Sequence, residues 1–327
     1  MVLVIGGGLS GCTVAATLSE RGIPSIILEK SGQIGGKVRS YGCKASSNCN
    51  NCGLCLVGGL WDRIESDKNI TVETNARVLD IYGKRPDFTV SFSAGGHEAR
   101  ISGISAIAAS IGFEPSSLSG AQDQQIEDLS GVITGLELER LFSKRKKGTV
   151  SKIFPEGVKS IAYIQCYGSR DRKLGSLYCS RVCCAYASRS AKALRFLHPG
   201  ISQTFFCMDF QRIESPRCYE EMLDMGIEFI KCRPVRIEGA GKPRVVYEKL
   251  GGAGLDIREF DLAVLSEGIR PPADADGISN LCSLMVDADG FLQPVRDDGI
   301  TVLGCASGPK KIEEVHAESV AYARNLR

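Results

Sequence analysis

The sequence crowds three cysteines into the seven residues YCSRVCC, 178–184, and places a fourth upstream in IQCYGSRD. These are Cys179, Cys183, Cys184 and, thirteen residues before Cys179, Cys166. In a reducing compartment, clustered cysteines are more often metal ligands or redox centres than disulfides. This group is therefore the first candidate for chemistry.

Three kinds of chemistry are open to it. A disulfide between the adjacent Cys183 and Cys184 needs a strained ring, and structural zinc favours two separated cysteine pairs around one ion. An iron–sulfur cube has its irons at separate corners, which side chains diverging by about 100° on a helix can reach. On such a helix Cys179 and Cys183 stand one turn apart, and the helix N-terminus favours an anionic cluster. The sequence favours the cluster over zinc or plain thiols.

A second group, GCKASSNCNNCGLC, contains two Cys-x2-Cys steps and resembles the cysteine runs of ferredoxins, although five residues separate its first pair and no Cys-Pro follows. Its members are Cys43, Cys49, Cys52 and Cys55. The intervening asparagines suit a tight loop whose backbone N–H groups turn toward sulfur; they are Asn48, Asn50 and Asn51. We predict a second [4Fe–4S] cluster here, with a zinc knuckle or a redox-active loop as alternatives.

The composition limits the function further. A chain of 327 residues is long enough for two domains, and 40 Lys plus Arg against 38 Asp plus Glu give a net charge of +2. This balance gives no electrostatic reason to expect nucleic acid or a membrane as a partner. No apolar run reaches the roughly 18 residues that span a bilayer, and the start lacks a signal-peptide pattern. We expect a cytoplasmic protein without direct membrane insertion.

The opening VLVIGGGLSGCTVAATLSERGIPSIILEK predicts a strand, a glycine turn, a helix and a second strand. In Gly6-x-Gly8-x-x-Gly11, the first glycine permits a sharp turn and the second lets the backbone approach a pyrophosphate. The third lets the helix pack closely on the strand. Glu29 ends the second strand, where a carboxylate binds the ribose hydroxyls of an adenosine and disfavours NADP. The pattern predicts a dinucleotide site.

Two further segments favour FAD. Gly35-Gly36 resembles the second glycine motif of flavoproteins with two dinucleotide-binding domains, and GITVLGCASGPKKIEEVHAESVAYARNL predicts the strand, turn and helix that return to the flavin in them. Those proteins usually have Gly-Asp where this chain has Gly304-Cys305, so the contact of that Asp with the ribityl chain is not carried over. The predicted FAD contacts are Gly6, Gly8, Leu9, Ser10, Gly11, Glu29, Lys30, Gly35, Gly36, Lys37, Val78, Gly112, Gly304, Cys305, Lys311 and Ile312.

The second half predicts another βαβαβ unit, from KSIAYIQC through REFDLAVLSEG. Where a pyridine-nucleotide domain has its glycine turn, this chain has the cysteine-bearing loop, so we do not expect direct use of NAD(P)H there. We predict an α/β chain with two Rossmann-like, doubly wound domains. They are an FAD domain of 1–115 and 290–327 with a cysteine-rich insert at 43–55, a crossover linker at 116–150, and a degenerate NAD-type domain at 151–289 that carries a cluster.

The motifs IQCYGSRD…YCSRVCC, GVITGLELERL and GCASGPKKI resemble the A subunit of heterodisulfide reductase. The likeness is to its short forms without added ferredoxin domains, found in the heterodisulfide-reductase-like complex of sulfur oxidisers and in the quinone-interacting membrane-bound oxidoreductase of sulfate reducers. It covers nearly the whole chain. It implies a thioredoxin-reductase-like flavoprotein fold, bound FAD, a [4Fe–4S] cluster on Cys166, Cys179, Cys183 and Cys184, and a homodimer within a larger assembly of iron–sulfur subunits.

The expected function is that of an oxidoreductase subunit in sulfur metabolism that passes electrons between FAD and iron–sulfur clusters to partner subunits. One alternative is an NAD(P)H-dependent flavin disulfide reductase, with Cys49/Cys52 or Cys52/Cys55 as the active dithiol. The missing second glycine fingerprint argues against it. A scaffold that carries cofactors without catalysis is the other alternative.

Overall fold

The structure is a computed structural model of the chain. It describes residues 1–45, 49–116, 129–144, 154, 157–211, 216–239, 241–249, 251–252, 254–294 and 299–326. Asn48 and most of the predicted linker at 116–150 lie outside the described residues.

The described strands, in chain order, are β1 (Val2–Ile5), β2 (Ser25–Leu28), β3 (Ile70–Glu73), β4 (Ala76–Lys84), β5 (Asp87–Ala94), β6 (His97–Ile104), β7 (Ala106–Ala109), β8 (Glu114–Pro115), β9 (Val132–Thr134), β10 (Ser160–Tyr167), β11 (Ser202–Phe206), β12 (Glu228–Ile230), β13 (Arg236–Glu238), β14 (Arg244–Glu248), β15 (Leu255–Glu259), β16 (Leu262–Glu267), β17 (Ile269–Arg270), β18 (Met285–Val286), β19 (Leu292–Gln293) and β20 (Ile300–Val302). The described helices are α1 (Leu9–Glu20), α2 (Leu60–Ser66), α3 (Gly135–Ser143), α4 (Cys183–Leu197), α5 (Cys218–Asp224), α6 (Ala275–Cys282) and α7 (Ile312–Asn325). Among these helices, none has the length and apolar character that crossing a bilayer requires.

The chain divides into two compact units. The first contains Met1–Arg39, Gly53–Glu114 and Ile269–Arg327, and the second contains Ser40–Cys52 and Pro115–Gly268. Packing therefore groups residues 40–52 with the second unit and residues 269–289 with the first, whereas the predicted boundaries, drawn on motifs, assigned both segments the other way. The cysteine-rich segment is divided between the units, with Cys55 in the first.

The first unit contains a parallel sheet in the order β20-β7-β1-β2-β3. Its inner strands β1, β2 and β7 are buried at every residue, as expected for short apolar strands covered on both faces. The predicted strand, turn, helix and strand of the opening segment are confirmed, since α1 follows the glycine turn and β2 pairs in parallel with β1. An antiparallel sheet, β4-β5-β6, belongs to the same unit.

The second unit repeats this plan with the parallel order β12-β11-β10-β16-β9, and adds the antiparallel sheet β13-β14-β15. The βαβαβ order predicted for this half is confirmed by β10, α4, β11, α5 and β12. Its core includes the fully buried Tyr163 and Phe205, whose stacked rings lie 4.4 Å apart. Open parallel sheets bind ligands outside the carboxyl ends of their strands, so the end of β10 is where a site is expected.

Helix α3 accounts for the motif GVITGLELERL. Thr134 Oγ1 accepts a hydrogen bond from the Glu137 N–H at 3.1 Å, and the Glu137 carboxylate accepts one from the Thr134 N–H at 2.7 Å. This reciprocal pair is a capping box, which satisfies two backbone donors at the helix start. Leu138 and Phe142 on the next turns are buried in the core of the second unit.

A buried ion pair holds the cysteine-rich segment on α3. The Lys44 ammonium bonds the Glu139 carboxylate and also donates to the Gly42 carbonyl oxygen at 3.0 Å. The side chains of Lys44 and Glu139 are only 4% and 8% exposed. Gly42 packs so closely on Phe142 that a side chain there would collide with the helix backbone. The segment that carries Cys43, Cys49 and Cys52 is therefore anchored to the second unit.

We expect Lys44→Met to lower the free energy of unfolding by about 3 kcal/mol, because it leaves the Glu139 carboxylate buried without its cation. The double variant Lys44→Met/Glu139→Met should recover most of this loss, since two apolar side chains replace the pair. Denaturant titration followed by circular dichroism measures both. Lys242→Met, which breaks an ion pair with an exposed lysine, should shift the midpoint much less. Equal midpoints for the single and double variants would contradict the pairing argument.

Candidate functional site

The glycine turn of the first unit joins β1 to α1. A side chain at Gly11 would collide with the Gly6 carbonyl oxygen, and Gly6 itself has a φ of +101°, so both positions need glycine. Gly8 differs, because a Cβ atom there would meet no atom within 4 Å. Its backbone faces open space at the start of α1, where the positive end of a helix favours a phosphate.

The Glu29 carboxylate is buried directly after β2. Its Oε2 accepts a hydrogen bond from the Gly7 N–H at 2.7 Å, and its Oε1 accepts from the Ser31 N–H at 2.8 Å and hydroxyl at 2.7 Å. A carboxylate has about four lone-pair positions, so Oε2 keeps room for a ribose hydroxyl. Glu29 thus also fixes the glycine turn, a role that the sequence did not indicate.

The second glycine pair lies directly against the first turn. The Gly35 N–H donates to the Gly7 carbonyl oxygen at 2.7 Å. A Cβ atom at Gly36 would lie 3.1 Å from the Gly8 Cα. Gly35 and Gly36 have φ values of +112° and +53°, in the region that glycine adopts without strain. The two predicted glycine motifs therefore form one continuous backbone surface.

The segment after β20 reaches the start of α1 as well. Gly304 has a φ of +68°, and a Cβ atom there would lie 3.1 Å from the Ser10 Cβ. Ser10 and Ser319 of α7 share a hydrogen bond of 2.8 Å between their hydroxyls. Leu9, which precedes Ser10 and is the first residue of α1, is also buried. The structure thus brings predicted contacts from both ends of the chain together.

Cys305 occupies the place of the usual Asp and turns toward its own loop. It is buried, its thiol lies 3.5 Å from the Lys310 carbonyl oxygen, and burial raises its pKa to about 11. A carboxylate of α7, that of Glu318, accepts a hydrogen bond from the Gly304 N–H at 2.8 Å. Helix α7 begins at Ile312, and the N–H of its N-cap residue Lys311 is bonded to a carboxylate of the first turn.

The remaining predicted FAD contacts are spread through the first unit. Lys37 donates to the Phe113 carbonyl oxygen at 2.5 Å, so it lies beside the turn at Gly112, where φ is +78°. Val78 is half-buried in β4 and packs on the core. Lys30 is 49% exposed in an ion pair on the surface.

The four cysteines of the predicted cluster line one pocket in the second unit. Cys166 comes from the carboxyl end of β10, and Cys183 and Cys184 are the first two residues of α4. Cys179 comes from the loop between them. The pocket therefore lies at the strand-to-helix junction where an NAD-type domain has its glycine turn.

The backbone around this pocket departs from regular structure. Cys166, Arg170 and Arg181 have φ values of +60°, +54° and +62°, which are uncommon for residues other than glycine. The pairing of β10 with β16 also shifts register between Ile164 and Tyr167, across Cys166. Strained backbone and strand bulges are concentrated at functional sites, so the local geometry supports a site here.

The expectation that Cys179 and Cys183 lie one turn apart on a helix is wrong. Helix α4 begins at Cys183, and Cys179 is an exposed residue of the preceding loop. Before the helix, the Val182 N–H donates to the Ser180 carbonyl oxygen at 2.7 Å, which turns the chain away from helical geometry. The buried hydroxyls of Ser180 and Ser169 are hydrogen-bonded, which ties this loop to the end of β10.

Burial makes thiolates unfavourable in this pocket. It raises the pKa of Cys184 to about 12 and the pKa of Cys183 well above its ordinary value. Burial also raises the pKa of Cys166, which the nearby Arg170 guanidinium opposes. Thiolates are the form that binds metal, so four ligands in this space need a positively charged centre to offset their charge.

Arg233 is hydrogen-bonded to residues that line the pocket. It is not among the residues that the sequence predicted for this site. Its guanidinium donates to the carbonyl oxygens of Arg170 at 3.0 Å and Cys166 at 3.4 Å, and to the Asp171 carboxylate at 2.7 Å. Arg170 in turn bonds Asp209, which also lines the pocket. No local pattern could have revealed Arg233, since it follows β12, far along the chain from the cysteines.

The two cysteine groups share a local feature. The Arg181 N–H lies 3.4 Å from the Cys179 sulfur, and the Asn51 N–H lies 3.4 Å from the Cys49 sulfur. In both, the donor is two residues after the cysteine and has a positive φ. Backbone N–H groups directed at sulfur stabilise an anionic ligand and help to set cluster potentials. Arg189 of α4 donates to the Asn51 carbonyl oxygen at 2.8 Å, which holds this loop against the same helix.

A single zinc ion and an iron–sulfur cube differ in how closely their ligands must be grouped. In the described part of the chain, no three Cys, His, Asp or Glu side chains are grouped as one metal ion requires. Zinc–sulfur bonds of about 2.3 Å place tetrahedral ligands within about 4 Å of each other. A cube has its irons at separate corners, so its ligands lie further apart than those of one zinc ion.

We expect Gly8→Ala to weaken dinucleotide binding without unfolding the protein. Its methyl group enters open space where the backbone is to meet the pyrophosphate, and its φ of −78° suits alanine. Gly11→Ala should instead lower the melting temperature of the cofactor-free protein, because its methyl group strikes the Gly6 carbonyl. Thermal melting and flavin retention on a desalting column distinguish the two. A Gly8→Ala variant that keeps its flavin as tightly as the parent would contradict this.

A family model for the NAD(P)-binding Rossmann-like domain matches residues 4–52. The A subunit of the ferredoxin/F420H2-dependent CoB-CoM heterodisulfide reductase of Methanosarcina acetivorans is 26% identical over 99% of this chain and 52% of its own length. The A subunit of the H2:CoB-CoM heterodisulfide,ferredoxin reductase of Methanothermobacter marburgensis is 33% identical over 59% of this chain and 32% of its own length. The chain thus spans about half the length, or less, of these curated relatives.

Solved structures show the fold. Thioredoxin reductase from Lactococcus lactis superposes with a TM-score of 0.64 at 16% identity, over 99% of this chain and 96% of its own. Thioredoxin reductase from T. acidophilum gives a TM-score of 0.63 at 14% identity, again over 99% of this chain and 96% of its own. The predicted thioredoxin-reductase-like fold is confirmed. The chain is therefore a homologue of the heterodisulfide reductase A subunit, built on the thioredoxin reductase fold.

Proposed function

We propose that this chain is an FAD- and [4Fe–4S]-carrying electron-transfer subunit of a heterodisulfide-reductase-like complex. One observation carries the proposal. Cys166, Cys179, Cys183 and Cys184 line a single pocket at the carboxyl end of β10. The thioredoxin reductase fold would otherwise have a glycine turn for a pyridine nucleotide at this junction.

The pocket suits a cluster better than a nucleotide. A glycine turn offers backbone N–H groups to a phosphate, whereas this junction offers thiols, with bulky side chains at positive φ on both sides. Arg170 lines the pocket, and its electrostatic attraction favours the Cys166 thiolate. Cys183 and Cys184 lie on the first turn of α4, where the helix dipole also favours negative charge.

The first unit supports FAD as the dinucleotide. The open backbone at Gly8, the spare acceptor capacity of Glu29 and the adjacent Gly36 form one surface at the start of α1. Gly304 belongs to the same surface, because it lies beside Ser10, whose hydroxyl is hydrogen-bonded to that of Ser319 in α7. Bound there, FAD would supply the exchange between two-electron and one-electron chemistry that clusters alone lack.

Partner subunits complete the proposal. The relatives are subunits of heterodisulfide reductases by name, and this chain aligns with about half of the M. acetivorans protein. We propose that disulfide or persulfide chemistry occurs on partner iron–sulfur subunits in the cytoplasm, and that two copies of this chain associate in that assembly. A second cluster on Cys43, Cys49, Cys52 and Cys55 belongs to the same proposal.

We expect protein purified without oxygen to contain one FAD per chain and about four irons and four sulfides per cluster. Cys183→Ser should lose about four irons and the corresponding EPR signal, because it removes a buried ligand. Cys218→Ser, at a buried cysteine of α5 outside the pocket, is the matched control and should keep its iron. Metal analysis, flavin absorbance and EPR after reduction provide the readouts.

Four results would overturn parts of this assignment. Tightly bound zinc in place of iron would exclude the cluster, and an unchanged EPR signal in Cys183→Ser would exclude its ligand set. Rapid reduction of the flavin by NADH would favour the flavin disulfide reductase instead. Iron retained in full by Cys49→Ser would count against the second cluster.

A further inference from the structure

We infer that the hairpin between Cys166 and Cys179 is the docking surface of an acidic one-electron carrier protein, which exchanges electrons with the cluster at Cys179. This inference rests on the proposed function, because it requires the cluster. It adds the place at which electrons cross the protein surface and the charge of the protein that meets it there.

One of the four cysteines that line the pocket is exposed to solvent. Cys166, Cys183 and Cys184 are each 5% exposed, whereas Cys179 is an exposed residue. Electron transfer between proteins weakens steeply with distance, so a carrier must approach the edge of the cluster that lies nearest the surface. Cys179 marks that edge.

A short hairpin stands beside Cys179. Asp171 and Ser176 exchange two backbone hydrogen bonds of 2.8 and 3.0 Å, and the Arg170 N–H donates to the Tyr178 carbonyl oxygen at 3.1 Å. The hairpin thus connects two residues that line the pocket, Arg170 and Cys179. Its tip includes Arg172 and Lys173, both of which are exposed.

The hairpin surface is basic and includes an exposed apolar residue. Residues 170–181 contain four basic side chains and one acidic side chain. The acidic one, Asp171, is bonded to Arg233. Arg172 and Lys173 are exposed at the tip of the hairpin, and Leu177 in its second arm is 68% exposed. Exposed cations beside an exposed apolar residue are complementary to an acidic electron carrier, since interfaces of this class are small and depend on charge for their encounter.

Hydrogen bonds and ion pairs of Arg233 and Asp209 hold the base of the hairpin in place. Arg233 bonds the carbonyl oxygens of Cys166 and Arg170 as well as the Asp171 carboxylate, so one side chain joins the base of the pocket to the base of the hairpin. Arg170 is fixed by Asp209. A surface ordered before binding loses less entropy when a partner docks, as a brief electron-transfer encounter requires.

The test is the rate of electron transfer between the anaerobically purified protein and two carriers of opposite charge. The probes are a reduced plant-type [2Fe–2S] ferredoxin, which is acidic and gives one electron to the oxidised protein, and an oxidised, basic c-type cytochrome, which takes one electron from the reduced protein. Both reactions are followed by stopped-flow absorbance over a range of salt concentrations. With ferredoxin, the second-order rate constant should fall as salt rises, because salt screens the attraction. Arg172→Glu/Lys173→Glu should lower it about tenfold at low salt and flatten the salt dependence.

The matched control is Lys144→Glu/Lys159→Glu. It reverses two exposed lysines at the C-terminus of α3 and before β10, at the other end of the sheet from the cysteines. This variant should keep the parent rate with ferredoxin. The hairpin variant should also gain rate with the cytochrome, which a general loss of folding could not produce.

The outcomes separate this inference from the function on which it rests. A parent protein without iron overturns the proposed function. Full iron content and an unchanged EPR signal, together with a ferredoxin rate that is the same in the hairpin variant and the parent, overturn only the docking surface. An equal loss of rate in the hairpin and control variants also overturns it, because total charge would then account for the effect.

Discussion

Four cysteine thiols share one mostly enclosed pocket at the carboxyl end of a parallel strand, and burial opposes the ionised form that binds metal. The Arg170 guanidinium beside Cys166 and the start of α4 at Cys183 oppose this effect. The strand leaves its regular ladder at Cys166, the loop passes through Arg170 and Arg181 in left-handed conformations, and α4 begins at Cys183 itself. These features place thiols, arginines and a helix start around one space. A strained backbone of this kind persists only where the surrounding contacts over-determine it, and Arg233 and the hydrogen-bonded serines provide such contacts.

The two units show one topology used for two purposes. Each has a parallel sheet of five strands, and in each the first strand of the βαβ unit runs through a turn into a helix. In the first unit that turn contains glycines. The backbone faces open space at Gly8, and Gly6 and Gly11 pack closely against each other. In the second unit the same junction carries sulfur. The chemistry of a Rossmann-like fold depends on this junction because the sheet directs the strand end and the helix start toward the same point.

Much of this arrangement was accessible from the sequence. The glycine spacing, the acidic end of β2 and the alternation of apolar runs predicted both βαβ units, because these patterns reflect local backbone and packing requirements. The exact start of α4 was not predicted. An apolar and alanine-rich pattern fits a helix from Cys179 as well as one from Cys183. The choice depends on the buried contact between Ser169 and Ser180, which are eleven residues apart.

The sequence by itself determined the types of group at each site and the order of strands and helices, since spacing and periodicity are properties of neighbouring residues. Only the tertiary structure decided which residues from distant parts of the chain contact the groups at each site. It placed Arg233 behind the cysteine pocket, joined Lys44 to Glu139, and divided the second cysteine group so that Cys43, Cys49 and Cys52 belong to one unit and Cys55 to the other. The first two of these contacts join residues 67 and 95 positions apart. Their partners are chosen by packing of the whole unit, which no local pattern records.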